Sequence, residues 1–296
     1  MCRRAPLVAI ALAVAACAPR APAVVTPAAA PAIAAAECFP FERLPAALRP
    51  RADEMLLKAL DSEALYTIAS DIKPMSSGFV SMQIKVASPD VADAEVVRQI
   101  LAAWTCGDRL VARLHHFSAV YDGARPLEGV VVNTRALRAL IGRRSSFFSP
   151  YGLTPSADPT EALLAVEYDQ TTARLRGYGY FFGYPDYAVD FFAKAADDEK
   201  ATKQFTARDF VSLPTFAGER RFVYAVEKGH VTNDEDRALA ARVDAVYRDY
   251  VARRAKHIGS AGAGGVVGLV RQWLIQRQEP IQSPITNSNR QSPISQ

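Results

Sequence analysis

Three groups of residues have the types and spacing for chemistry. In Asp71-Ile72-Lys73-Pro74-Met75-Ser76-Ser77-Gly78, a lysine beside Ser76 and Ser77 could act as base to a serine nucleophile at a helix end. The same residues equally make an ordinary turn. His115 and His116 are adjacent, so on a strand they point to opposite faces and cannot jointly hold one metal ion. Each is open either to a packed, hydrogen-bonded role or to service as a base or ligand. Tyr180, Tyr184 and Tyr187 lie beside Asp186 and Asp190 around Gly179 and Gly183. Aromatics with acids could line a glycan or peptide groove, or pack two helices through a glycine elbow. Tyr121 and Asp122, just after His116 and Ser118, complete the ligand-binding candidates, at the end of a strand where it meets a loop.

Common catalytic signatures are missing from the sequence: no G-x-S-x-G, H-E-x-x-H, C-x-x-C or P-loop occurs. The run Gly262-Ala263-Gly264-Gly265-Val266-Val267 starts like a dinucleotide fingerprint, but Val267 stands where glycine or alanine belongs and a helix, not a strand, precedes it. No cofactor is expected. With four histidines and four cysteines in the whole chain, no metal site is expected either. The net charge is only +4, and the doublets Arg143-Arg144, Arg220-Arg221 and Arg253-Arg254 are not interleaved with aromatics, which argues against a nucleic-acid partner.

The elements that must position these residues centre on 110–133. Leu110 to Tyr121 alternates with both faces apolar, Asp122-Gly123 and Pro126 interrupt it, and Gly129-Val130-Val131-Val132 resumes it, predicting two neighbouring strands joined by a short loop. Upstream, the spacing predicts a helix over 52–71, a half-buried strand over 79–86, and a helix capped by Ser88-Pro89-Asp90 that stops at Gly107. Downstream, Asn133 caps a short helix, Asp158-Pro159-Thr160-Glu161 starts another, and Pro185 restarts a third. Two β-rich runs follow between Asp209 and Val226, and Thr232-Asn233-Asp234-Glu235 forms a capping box for a long helix. Strand-like segments do not alternate regularly with helices, so the fold class is α+β, a single domain with an antiparallel or mixed sheet flanked by helices.

At the N-terminus, Arg3 and Arg4 precede an apolar run, Leu7 to Val14, too short to span a bilayer, followed by Val14-Ala15-Ala16-Cys17. This resembles the lipobox of bacterial lipoproteins. The resemblance implies a signal peptide over 1–16, acylation of Cys17 by diacylglycerol and a further acyl chain such as palmitate, and a membrane partner reached through the lipid anchor. The location it implies is the bacterial cell envelope, with the domain in the periplasm. Residues 17–36, rich in Ala and Pro, read as a semi-rigid tether. The signal accounts for Cys2 and Cys17, so in an oxidising compartment Cys38 and Cys106 are expected to form a disulfide. The globular domain is expected over 37–257 and a flexible low-complexity tail over 258–296, where Gln282-Ser283-Pro284-Ile285 recurs as Gln291-Ser292-Pro293-Ile294. The function expected is a binding or structural role in the envelope, with an envelope protein or glycan as partner. The alternative is a hydrolase or other enzyme on an envelope substrate, using Lys73 with Ser76 or Ser77, or a histidine.

Overall fold

Strand β4 (Ala124–Asn133) organises the molecule because its side chains alternate between two apolar layers. Leu127 and Val131 enter one core cluster; Val130 and Val132 enter the other. The computed structural model describes residues 37–218, 222–259 and 264–276, so the signal peptide, Cys17, the tether and the Gln-Ser-Pro-Ile repeat lie outside the described residues. Along one edge β4 pairs antiparallel with β3 (Leu110–His116), from Leu110 opposite Asn133 to His116 opposite Leu127. Its other edge takes β1 (Met75–Ser76) near one end and β2 (Ser81–Lys85) near the other, both antiparallel.

The link from β3 to β4 closes at Asp122-Gly123. Both residues have positive φ, 48° and 74°, and Tyr121 and Ala124 exchange backbone hydrogen bonds across them at 2.9 and 2.8 Å. That is the conformation for which an Asp-Gly pair is suited in a two-residue hairpin turn. A second antiparallel sheet is formed by β5 (Arg208–Leu213) and β6 (Phe222–Glu227). The chain is therefore one α+β domain with helices flanking antiparallel strands, divided between two sheets.

Among the described residues, three helices begin on a capping side chain. Asn133 accepts from the Ala136 amide to start α4 (Thr134–Arg143), and Asp158 accepts from the Thr160 amide to start α6 (Pro159–Glu167). The long helix after β6, Asp234–His257, is capped reciprocally by Asn233 and Asp236, one residue further along than Thr232 and Glu235. The helix after β2, Ala92–Ala102, begins later than Ser88-Pro89, because Asp90 turns its carboxylate onto the Ala92 amide at 3.0 Å.

Two corrections to the sequence reading matter. The helix expected over 52–71 is two pieces, Arg49–Leu60 and Leu65–Ile68. Ser62 donates back to the Ala59 carbonyl, and Asp61 is drawn across to Tyr250 and Arg254, which ends the first piece. The first piece buries one face and the second is buried throughout, so the apolar pattern runs on through the break.

The second correction concerns 258–296. Gly265–Gln276 is a helix, and Val266, Leu269, Val270, Trp273 and Leu274 are all buried in the main core, so the domain does not end at His257. Their spacing is that of one helical face. Trp273 stacks on Tyr250 at 6.1 Å between ring centroids. Arg271, on the neighbouring face, donates to the carbonyls of Cys38 and Phe39 at 2.8 and 3.0 Å and to Glu42 at 2.6 Å.

Cys38 and Cys106 are joined in a disulfide, as expected. A loop of this length contributes about 4 kcal/mol through the entropy of the unfolded chain. Thiol counting in denaturant should find no free thiol from this pair without reductant and two with it. Reduction should lower the unfolding midpoint by several degrees. Two free thiols in protein never exposed to reductant would refute the pairing.

Candidate functional site

The site forms where α6 runs out and the next helix, α7 (Ala173–Phe181), turns back across the sheet. Glu167, the last residue of α6, follows an apolar run that carries it inward, and its side chain has no solvent exposure. A buried carboxylate must be paired, and this one is paired on both oxygens. One oxygen, Oε1, accepts from the Ser118 amide and the Ser118 hydroxyl, both at 2.7 Å, and from Arg174 at 3.1 Å. Oε2 accepts from Arg174 Nε and Nη2 at 3.2 and 2.9 Å, and from the Tyr178 hydroxyl at 2.5 Å. Burial pushes the carboxyl up, but these donors outweigh it and hold it below the usual carboxylate range.

The network continues to the sheet. His115 Nε2 lies 3.1 Å from Tyr178 Oη. Tyr178 has already given its one proton to Glu167, so His115 must donate, which assigns the Nε2–H tautomer. Burial lowers the His115 pKa; Glu167 raises it in part, and His116 and Arg174 lower it further, which favours the neutral ring. His115 is thus the packed histidine of the pair. His116 is exposed at the end of β3, contrary to the expectation that its face stays buried, because the strand runs out past the core there.

Close packing brings α7 onto its neighbours. A Cβ on Gly177 would lie 2.6 Å from Val166 of α6. One on Gly179 would lie 2.7 Å from Val189 of α8 (Asp186–Thr202), so glycine sets both approaches. Helices α7 and α8 run antiparallel: Thr172 donates to Asp197 at 3.1 Å near one end, Arg176 pairs with Asp190 midway, and Gly179 meets Val189 near the other.

Two hollows open along this helix pair and meet at Leu175. The first is an apolar groove of 250 Å³ between the helices and the β5–β6 hairpin, walled by Tyr178, Phe182, Val189 and Phe192 and roofed by Phe210 and Ala225. The second is a polar cavity of 770 Å³ lined by Ser118, Asp169, Thr171, Arg174, Asp197 and Lys200. The glutamate network forms the wall between them: Tyr178 faces the groove, while Ser118 and Arg174 face the cavity. Among the described residues no cluster of three or more His, Cys, Asp or Glu could hold a metal ion.

The other candidates are distributed over the fold. Lys73 is fully buried, its ammonium 2.7 Å from Glu63 Oε2 and 4.3 Å above the Phe222 ring, with Phe182 and Tyr184 at 5.2 and 5.6 Å. Burial lowers its pKa against the opposing pull of Glu63. Ser76 is buried, shares a hydrogen bond with Thr67 and donates to the Glu63 carbonyl; Ser77 is half-buried, and Lys73 bonds to neither serine. Tyr121 is exposed beside Asp122 at the hairpin tip, away from both hollows. Tyr180 packs on Phe147 beneath Arg144, which also pairs with Asp186. Tyr184 bridges the lysine enclosure and the apolar groove. Only Tyr184 of the tyrosine–acid group lines the groove, and the close approach of Gly179 to Val189 matches the alternative reading, two helices packed through a glycine elbow.

Tyr187 belongs to a second buried carboxylate. Asp236 accepts from Tyr187, from Tyr224 at 2.6 Å, from His230 at 2.7 Å and from the Asn233 amide at 3.0 Å, tying α8 and β6 to the long helix 234–257. Burial raises its pKa, but the four donors outweigh this and take it down to about 2. An unfolded aspartate titrates near 4, so the stabilisation is complete above that value and is lost as pH falls toward 2. We expect about 2 kcal/mol to disappear over this window. Unfolding midpoints followed by circular dichroism from pH 5 to pH 2 should fall more steeply for the native chain than for Asp236→Asn. Parallel curves would show that Asp236 is not the group responsible.

Glu167, Arg174, Tyr178 and Lys200 were not among the sequence candidates. The available signal was Glu167 itself, an acid inside Leu163-Leu164-Ala165-Val166-Glu167, with Arg174 a helical turn or two beyond. Comparison with protein-family models, curated proteins and solved structures finds no match.

Proposed function

We propose that this is a lipid-anchored protein of the bacterial cell envelope whose folded domain binds a small ligand along the α7–α8 face. The observation that carries the binding reading is the meeting of an apolar groove and a polar cavity at Leu175, against a wall held rigid by the Glu167 hydrogen bonds. Preformed hollows of this kind, largely apolar with a few fixed polar groups, are where small ligands bind. The anchor reading rests on Val14-Ala15-Ala16-Cys17. Both parts have a direct test. Cys17→Ala should abolish metabolic labelling with a fatty acid and release the protein from membranes; labelling that persists in the variant would sink the anchor. Native mass spectrometry of the full chain released gently from membranes should show a bound small molecule, lost when Ala225→Trp fills the groove. A spectrum unchanged by that substitution would refute the ligand site.

A further inference from the structure

We propose that the ligand is a flat, uncharged aromatic molecule of about two fused rings with one hydrogen-bonding group, held in the apolar groove alone. The proposal rests on the ligand-binding reading above and names the chemical class.

The lining sets charge and size. None of the residues around the groove is charged, so an ionised group on a ligand would be buried there without a partner. The cations beside the groove are already paired: Lys73, against the Phe182 and Tyr184 rings, with Glu63, and Arg208, over the Phe192 ring, with Glu199. The polar cavity shares only Leu175 with the groove, so its charges belong to a separate hollow. An apolar cavity of about 150 Å³ takes benzene. At 250 Å³ the groove has room for a second fused ring, not for a long chain.

Six rings set the shape. Tyr178, Phe182, Tyr184 and Tyr224 follow one another along the lining, with centroids 5.9, 5.7 and 5.8 Å apart. Phe192 and Phe210 also line the groove but are 38% and 62% exposed, and neither meets another aromatic ring among the described residues. Aromatic rings attract one another through their faces and edges beyond the area they bury. A flat ring in the groove gives the two open phenylalanines the partner they lack and covers them from water, where an alkyl chain would supply cover alone.

One hydroxyl sets the polar contact. Among the tyrosines of the groove, Tyr178 donates to Glu167 and Tyr224 to Asp236. Tyr184 is half-buried, and its hydroxyl makes no hydrogen bond among the described residues. It therefore keeps both a donor and an acceptor to offer the single polar atom of a ligand.

The test uses the full chain in phospholipid nanodiscs with 6-azido-2-naphthol as photoprobe. Photolysis should place crosslinks within 175–192 and 210–225. Unlabelled 2-naphthol should protect, while 1-decanol, with as many carbons, and 2-naphthoate, with a charge, should protect about tenfold more weakly. Tyr184→Phe should weaken protection by 2-naphthol about fivefold and leave that by naphthalene unchanged. Ala225→Trp should abolish labelling. Phe210→Ala, on an exposed side chain, should weaken it with the unfolding midpoint of the native chain. Crosslinks elsewhere, equal protection by 1-decanol or 2-naphthoate, or protection by 2-naphthol indifferent to Tyr184→Phe would overturn the proposal. A different small molecule seen by native mass spectrometry and lost in Ala225→Trp, with no labelling of the groove, would refute the aromatic class and leave the binding site standing; absence of both would refute both.

Discussion

Removing the chain from Gly265 onward should lower the unfolding midpoint by about 10 °C or more. The segment it deletes places Val266, Leu269, Val270, Trp273 and Leu274 against the first helix, 49–60, and the long helix, 234–257. Deleting it would expose their partners, and Tyr250 would lose the ring that stacks on it. The single substitution Trp273→Ala should by itself cost about 3–5 kcal/mol, because a fully buried indole leaves a cavity its neighbours cannot collapse into. In a domain of this size each kilocalorie shifts the midpoint by about 2–4 °C. Thermal unfolding of the two variants beside the native chain settles it. A truncated protein that melts with the native one would mean that the helix adds nothing to the core.

Glu167→Ala should be nearly as damaging. It strands the Ser118 amide and hydroxyl, the Arg174 guanidinium and the Tyr178 hydroxyl, all of which now donate to one carboxylate. Each donor left unpaired costs about 1–3 kcal/mol, Ser118 and Tyr178 foremost, since Arg174 is 30% exposed and can reach water. Glu167→Gln keeps the shape but turns an amide group toward donors, so its loss should be smaller and of the same sign. Lys73→Met offers a contrast. It replaces a fully buried ammonium by an apolar chain of similar length among three aromatic rings, and Glu63 is 22% exposed and can reach water. Equilibrium denaturation should therefore rank Glu167→Ala as the least stable of the three.

Local chemistry was the legible part of the sequence. Caps at Asn133 and Asp158 and the break at Asp122-Gly123 each depend on neighbours within a few residues, and each could be read directly; β4 begins at Ala124 and carries Pro126 within it, where the sequence reading resumes the strand only at Gly129. What escaped reading depends on distance along the chain. Glu167 is explained by Ser118, 49 residues earlier, and Lys73 by rings at Phe182, Tyr184 and Phe222. The C-terminal helix is a different case. Its stripe at 266, 269, 270, 273 and 274 is fully periodic, but it is framed by glycines on one side and a Gln-Ser-Pro tail on the other. Arg271 falls beside the stripe, where it serves the carbonyls of Cys38 and Phe39.

That arrangement around Cys38 decides where a pull would travel. Were the N-terminus held to a membrane as proposed, tension along the chain would enter at Cys38 and cross the disulfide straight to Cys106, four residues before β3. Everything between, including β1, β2 and the helices 49–60 and 92–102, sits in a closed loop that carries no load. The force would arrive at Leu110, paired with Asn133 at the open end of the β3–β4 hairpin, where the pairs would yield one after another from that end. In a reduced chain the same tug would first load the residues around Phe39 and Phe41, held there by Arg271 and by the Phe39 amide on the Thr105 carbonyl.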